Sequence, residues 1–235
     1  MDHLNLAEIV ANRSGPTKGA QMSCEKKQIR NDGRFVPQTK GMSFPVEVLT
    51  ADEVQRLLAA SGRRSPSGLR NRALIAVLWR AGLRLQEALD LRVRDIDLEA
   101  GLINVRRGKG GTQRVVGIDQ TALAVVEQWL ECRKGTDASP SQPLFCQITD
   151  GRVGEPLSQS YVRQMVKRLG TKAGIEKRVH PHGLRHALAT GMANEGYPIH
   201  LVQTQLGHRN LNTTAKYLAR VAPTELASAM RNRDW

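Results

Sequence analysis

Between residues 93 and 118 the apolar pattern shifts from the helical period toward a period of two, and that shift constrains the fold more than any other feature. Leu102-Ile103-Asn104-Val105 and Arg114-Val115-Val116-Gly117-Ile118 flank the glycine-rich turn Gly108-Lys109-Gly110-Gly111, a pattern that predicts a β-hairpin. A short strand is expected just before it, over residues 93–98. On both sides the periodicity is helical. Thr50 and Glu53 form a capping box ahead of Val54, Leu57 and Leu58 on one face, so a helix and a domain begin there. Further helices are predicted over residues 69–80, ending near Gly82, and over residues 85–91. Asp119 caps another helix through residue 132, and the Ser/Pro-rich stretch 139–143 is a loop. Helices then follow over residues 160–169, 183–194, 198–206, 211–218 and 224–230. The expected fold class is mainly α with a small antiparallel β-sheet (α+β).

Residues 1–44 read differently. One short apolar stretch is followed by a segment rich in Gly, Lys, Gln and Ser, which predicts a flexible basic N-terminal tail ahead of a domain over residues 45–235. The chain carries 35 Lys and Arg against 22 Asp and Glu, a net charge of +13. Such an excess favours a polyanion, since each phosphate neutralised by Lys or Arg releases a counterion. Aromatic residues are only 4%, which disfavours a single-strand binder that stacks successive bases. Duplex DNA is the expected partner. No apolar run is long enough to cross a bilayer, and the N-terminus lacks the order of a secretory signal. Cys24, Cys132 and Cys146 are widely spaced and odd in number, which suggests neither disulfides nor a cysteine-based zinc site. These features together predict a soluble cytoplasmic protein without a membrane partner.

The segment His180-Pro181-His182-Gly183-Leu184-Arg185-His186 concentrates unusual residues. Three histidines invite a metal, but Arg185 lies between them and no acidic residue is near. An anion fits better. His182 at a helix start and Arg185 one turn on would bring imidazole, guanidinium and helix N-terminus together. Arg84 follows a helix stop and has Glu87 three residues on, so a carboxylate can hold one edge of its guanidinium. Lys109 sits at the hairpin tip, His208 follows Leu206-Gly207, and Tyr217 lies on a predicted helix. Singly, each has an ordinary reading as a solvated cation, a cap or a core aromatic.

In this order and these contexts the residues resemble the catalytic domain of the tyrosine recombinases, the phage-integrase family. The matching stretches are AGLRLQEALDLRVRDID, INVRRGKGGTQRVVGI, HPHGLRHALATGMANEG and LVQTQLGHRNLNTTAKYL, and the resemblance covers residues 49–221. The resemblance implies that fold and assigns the two phosphate-clamping arginines to Arg84 and Arg185. It assigns the hairpin lysine to Lys109, the two histidine positions to His182 and His208, and the nucleophile to Tyr217. Glu87 matches the acid that supports the first arginine, and His186 a structural neighbour. His180 and His200 receive no role. The implied function is site-specific recombination, by integration, excision or inversion, through a 3′-phosphotyrosyl link that needs no ATP, cofactor or metal.

The chemistry calls for such a set independently. A tyrosine of pKa about 10 costs on the order of 4 kcal/mol to ionise at neutral pH. A cationic site or a base must offset that, and an acid must protonate the leaving 5′-oxygen. The resemblance also implies a homotetramer on DNA, compatible with an accessory DNA-bending protein and a nucleoid-associated location. Most family members carry a helical domain of about a hundred residues before the catalytic domain, more than residues 1–44 can build. The likeness is therefore to short fimbrial-type DNA invertases or a short mobile-element integrase. Two alternatives stand beside it: strand relaxation of the type IB topoisomerase kind, and a noncatalytic DNA-binding relative.

Overall fold

The computed structural model describes residues 47–106, 113–134, 139–148 and 153–207. All belong to the second of two units into which the chain divides, Val46–Trp235. The tail 1–44, the hairpin turn with Lys109, His208, Tyr217 and the helices expected over 211–218 and 224–230 lie outside the described residues.

Helix α1 (Ala51–Ala60) starts at the expected capping box: Thr50 Oγ1 accepts from the Glu53 N–H, and Glu53 Oε2 accepts from the Thr50 N–H at 2.7 Å. Helix α2 (Pro66–Ala76) begins three residues before the predicted start. Ser65 Oγ accepts from the Gly68 N–H, and Pro66, which has no N–H to leave unpaired, occupies the first turn. α2 runs through the core, with Ala73 to Leu78 all buried, and packs on α4. Its last turn widens into a π-helical turn, Val77–Ala81, which stops at Gly82. Gly82 adopts φ 65°, and a Cβ there would stand 2.7 Å from Leu188 Cδ2 and 2.9 Å from Leu206 Cδ2. Only glycine lets the chain turn left-handed so close to two later helices.

Helix α3 (Leu85–Leu89) follows at once. The strand expected over 93–98 shrinks to β1 (Ile96–Asp97), because Val93–Asp95 winds into a 3₁₀ turn. The cause is Asp95, fully buried, whose carboxylate accepts from the Arg92 N–H at 3.0 Å and from the Arg106 guanidinium. An inward carboxylate that caps its own turn takes the backbone out of the ladder. β2 (Leu102–Val105) and β3 (Arg114–Gly117) form the predicted antiparallel pair, and the sheet order is β1-β2-β3. In the register Ile103↔Val116, both partners face the core.

α4 (Gln120–Arg133) is capped by Asp119, whose Oδ1 accepts from the Ala122 N–H, and it buries Trp129. α5 (Gln159–Lys172) is longer than expected at its C-terminal end. α6 (Pro181–Asn194) starts two residues early, with His180 as its cap, and α7 (Ile199–Leu206) ends at left-handed Gly207. Gln205 docks α7 on β3: its Nε2 donates to the Gly117 and Ala81 carbonyls and its Oε1 accepts from the Gly117 N–H. One side-chain amide thus imitates a strand partner and holds sheet, α2 terminus and α7 together. Among the described residues, no helix is long and apolar enough to cross a membrane.

Candidate active site

Two helix ends stopped by left-handed glycines, Gly82 and Gly207, come together around one side chain. Arg185 on α6 is only 2% exposed. Its Nη1 donates to the Gly82 carbonyl and its Nη2 to the Leu206 carbonyl. Helix C-termini leave carbonyls without intrahelical partners and carry partial negative charge, so they are natural holders of a guanidinium. The glycine stops thereby create the acceptors that orient Arg185.

Arg84 sits in extended conformation just before α3. Its Nη2 donates to the Gly207 carbonyl at 3.2 Å, and its Nη1 donates to Glu87 Oε1 at 2.8 Å. Glu87 Oε2 accepts from the Arg84 main-chain N–H at 2.9 Å. Burial by itself would raise the pKa of Glu87. Hydrogen bonds from Arg114 and from Arg84, with the Arg114 charge, override it and hold the pKa at about 2. The expected support of Arg84 by Glu87 is therefore present as a contact, and a second arginine, Arg114, shares it. Sequence reasoning passed over Arg114. The local signal was slight: a cation opening a returning strand, where an exposed residue is the ordinary expectation.

His182, the second residue of α6, is exposed on one side and packs edge-on against His186, ring centroids 4.2 Å apart. Partial desolvation lowers its pKa, and the positive charges of Arg185 and Arg84, with the neighbouring His180 ring, lower it further. The ring is then neutral at pH 7, with one nitrogen a donor and the other an acceptor. His180, which had no expected role, caps α6: its Nδ1 accepts from the Gly183 N–H at 3.1 Å. Burial and Arg178 depress its pKa too, which keeps the accepting nitrogen unprotonated. The histidines are thus engaged with the helix and with one another. Among the described residues, no group of three or more His, Cys, Asp or Glu could hold a metal ion.

Arg84 and His182 face a cleft of about 420 Å³ whose other walls include Gln159, Arg163 and Arg178. Three guanidiniums and the imidazoles of His180 and His182 on one opening suit an oxyanion such as a phosphodiester. A larger cleft, about 750 Å³, lies among Leu49, Trp79, Met192 and Tyr197 and contains none of the expected site residues. Of those residues the structure brings together Arg84, Glu87, His182, Arg185 and His186. Lys109, His208 and Tyr217 lie outside the described residues; in sequence His208 follows Gly207 directly, and Tyr217 comes ten residues after Gly207.

Relatives share this arrangement of elements. The chain is 40% identical over 175 residues to tyrosine recombinase XerC 2 of Ralstonia nicotianae, a match that covers 74% of this chain and 49% of that protein. It is 40% identical over 171 residues to tyrosine recombinase XerC of Xanthomonas axonopodis pv. citri, covering 73% of this chain and 53% of that one. The chain thus spans about half the length of the curated relatives it matches. Among solved structures, XerA recombinase superposes with a TM-score of 0.68 at 32% identity, over 82% of this chain and 67% of that one. The XerH site-specific recombinase, bound to a palindromic difH substrate in a post-cleavage complex, superposes with a TM-score of 0.66 at 29% identity, over 83% of this chain and 55% of that one. Residues 47–222 match the model of the phage integrase family, and on that extent of agreement the chain belongs to it.

Proposed function

We propose that the chain is a site-specific DNA recombinase that cuts and rejoins duplex DNA through a 3′-phosphotyrosyl intermediate on Tyr217. The observation that carries this reading is the convergence of Arg84 and Arg185 on the adjoining Gly207 and Leu206 carbonyls, next in sequence to His208, with His182 near enough to feel both charges. The XerH relative with its difH substrate and the net charge of +13 support duplex DNA as the partner. Arg84 and Arg185 stabilise the nonbridging oxygens as charge builds on the pentacoordinate phosphorus. Neutral His182 contributes one ring N–H, and His208 a further donor. The Tyr217 hydroxyl gives up its proton to solvent within the cationic site as its oxygen attacks phosphorus, the bond to the 5′-oxygen breaks, and Lys109 delivers a proton to that oxygen. Attack by a 5′-hydroxyl reverses these steps and exchanges strands. We assign residues 45–235 to the catalytic domain, residues 1–44 to a basic tail, and the active assembly to a homotetramer on DNA at the nucleoid, with room for an accessory DNA-bending protein.

A nicked suicide duplex, which loses its short 5′-hydroxyl strand after cleavage, tests the reading. The wild-type chain is expected to trap a covalent DNA adduct. Tyr217→Phe is expected to bind with nearly unchanged affinity and form none. No adduct with the wild type, or an adduct with Tyr217→Phe, overturns the assignment.

A further inference from the structure

Arg114 opens β3, the strand continuous in sequence with the hairpin segment that contains Lys109, and no role in the site has been given to it. Its side chain is 16% exposed. Its two Nη groups donate to the two oxygens of Glu87, at 3.0 Å to Oε1 and 2.7 Å to Oε2. The same two oxygens accept from Arg84, through Nη1 and through the main-chain N–H. Each oxygen therefore accepts two hydrogen bonds, which fills the roughly four lone-pair sites of a carboxylate. The Arg114 guanidinium also lies against Gly207, where a Cβ would stand 2.7 Å from Nε and 2.9 Å from Cζ. Gly207 is the residue whose carbonyl accepts from Arg84. Arg114 thus touches both groups that hold Arg84.

Charge decides what these contacts achieve. Arg84 and Glu87 alone form a neutral ion pair, which attracts a phosphate weakly. With Arg114 the trio carries a net +1, and the carboxylate is shared between two guanidiniums instead of neutralising one. Without Arg114, buried Glu87 would draw Arg84 into the bidentate position left open and turn its outer edge from the cleft.

We propose that Arg114 is a positioning residue of the phosphate site: by engaging Glu87 and packing under Gly207, it keeps the charge of the Arg84 guanidinium from being cancelled and keeps that group aimed at the scissile phosphodiester. This role rests on the reading of Arg84 as a phosphate ligand given above. It also links strand β3 to the segment that bears Arg84.

Arg114→Gln and the double variant Arg114→Gln with Glu87→Gln, each in the full chain, test it, with single-turnover adduct formation at saturating suicide duplex, duplex Kd and Tm as readouts. Arg114→Gln is expected to slow adduct formation by about ten- to a hundredfold, the scale of a misplaced reacting group, while Kd moves far less. The double variant is expected to cleave faster than the single, because a neutral amide in place of the Glu87 carboxylate no longer cancels the charge of Arg84. A purely structural role would lower Tm without that rescue. A wild-type rate in Arg114→Gln, or a double variant no faster than the single, overturns the role. Should Arg114→Gln not fold, Arg114→Lys decides: charge kept but fork lost predicts slower cleavage at unchanged Kd, and an undiminished rate overturns it. Absence of an adduct with the wild-type chain overturns the phosphate reading itself and this role with it.

Discussion

At Glu87 two opposing effects meet: burial favours the protonated acid, and hydrogen bonds and charge from two arginines favour the carboxylate. The second wins, and the pKa falls from 4.5 to about 2. A side chain only 3% exposed is little screened by solvent. A depression of that size corresponds to roughly 3 kcal/mol of stability. Because the folded pKa is the lower one, that contribution is complete above pH 4.5 and disappears as pH falls through 2. Glu87→Gln is expected to cost about 3 kcal/mol at pH 7 and to flatten the acid limb of stability between those values, as read by denaturant titration across pH. Arg185 and Lys109 call for a different measurement. In the proposed mechanism Arg185→Ala removes a charge that stabilises the nonbridging oxygens, typically worth on the order of 3 kcal/mol, so cleavage is expected to fall at least about a hundredfold. A substrate with sulfur in place of the bridging 5′-oxygen needs no acid to expel its leaving group. It is expected to restore Lys109→Ala and to do little for Arg185→Ala; equal rescue of both would refute the division of roles.

Among the elements, α6 carries the site and is set by its cap. His180 occupies the place where Asn, Asp or Ser is usual, and its Nδ1 meets the Gly183 N–H. His180→Ala is expected to lower stability by about 1 kcal/mol, as loss of a cap does, whereas His180→Asn keeps an acceptor and is expected to be close to neutral. Thermal unfolding checks both, and an unchanged Tm in His180→Ala would show that the ring does not cap the helix in solution. The sequence placed α6 but started it at Gly183, since His is not a usual cap and Pro181 by itself only hints at a first turn. The capping box of α1 and the acidic cap of α4 were legible because their chemistry is local: Thr50 with Glu53, and Asp119 with Ala122, meet three residues apart. The late start of the strand at β1 was not, because it depends on Asp95 pairing with Arg106 in another segment.

For the whole molecule, charge is the governing quantity. With 35 cations against 22 anions, duplex affinity is expected to fall steeply with salt, with a log–log slope of about −0.9 per phosphate contacted. Titrations between low and physiological salt measure it, and affinity that holds as salt rises would contradict backbone-dominated binding. By itself the sequence determined the fold class and the order of the described elements, and it supplied the residues of the proposed site, because periodicity, caps and the His-x-x-Arg-His and Leu-Gly-His motifs are short-range patterns. Only the tertiary structure decided who holds whom. Arg114 reaches Glu87 across 27 residues, Gln205 reaches Gly117 across 88, and Arg185 reaches Gly82 across 103. No local pattern marks such partners, because a side chain's donors are satisfied by whatever the packed core places beside them.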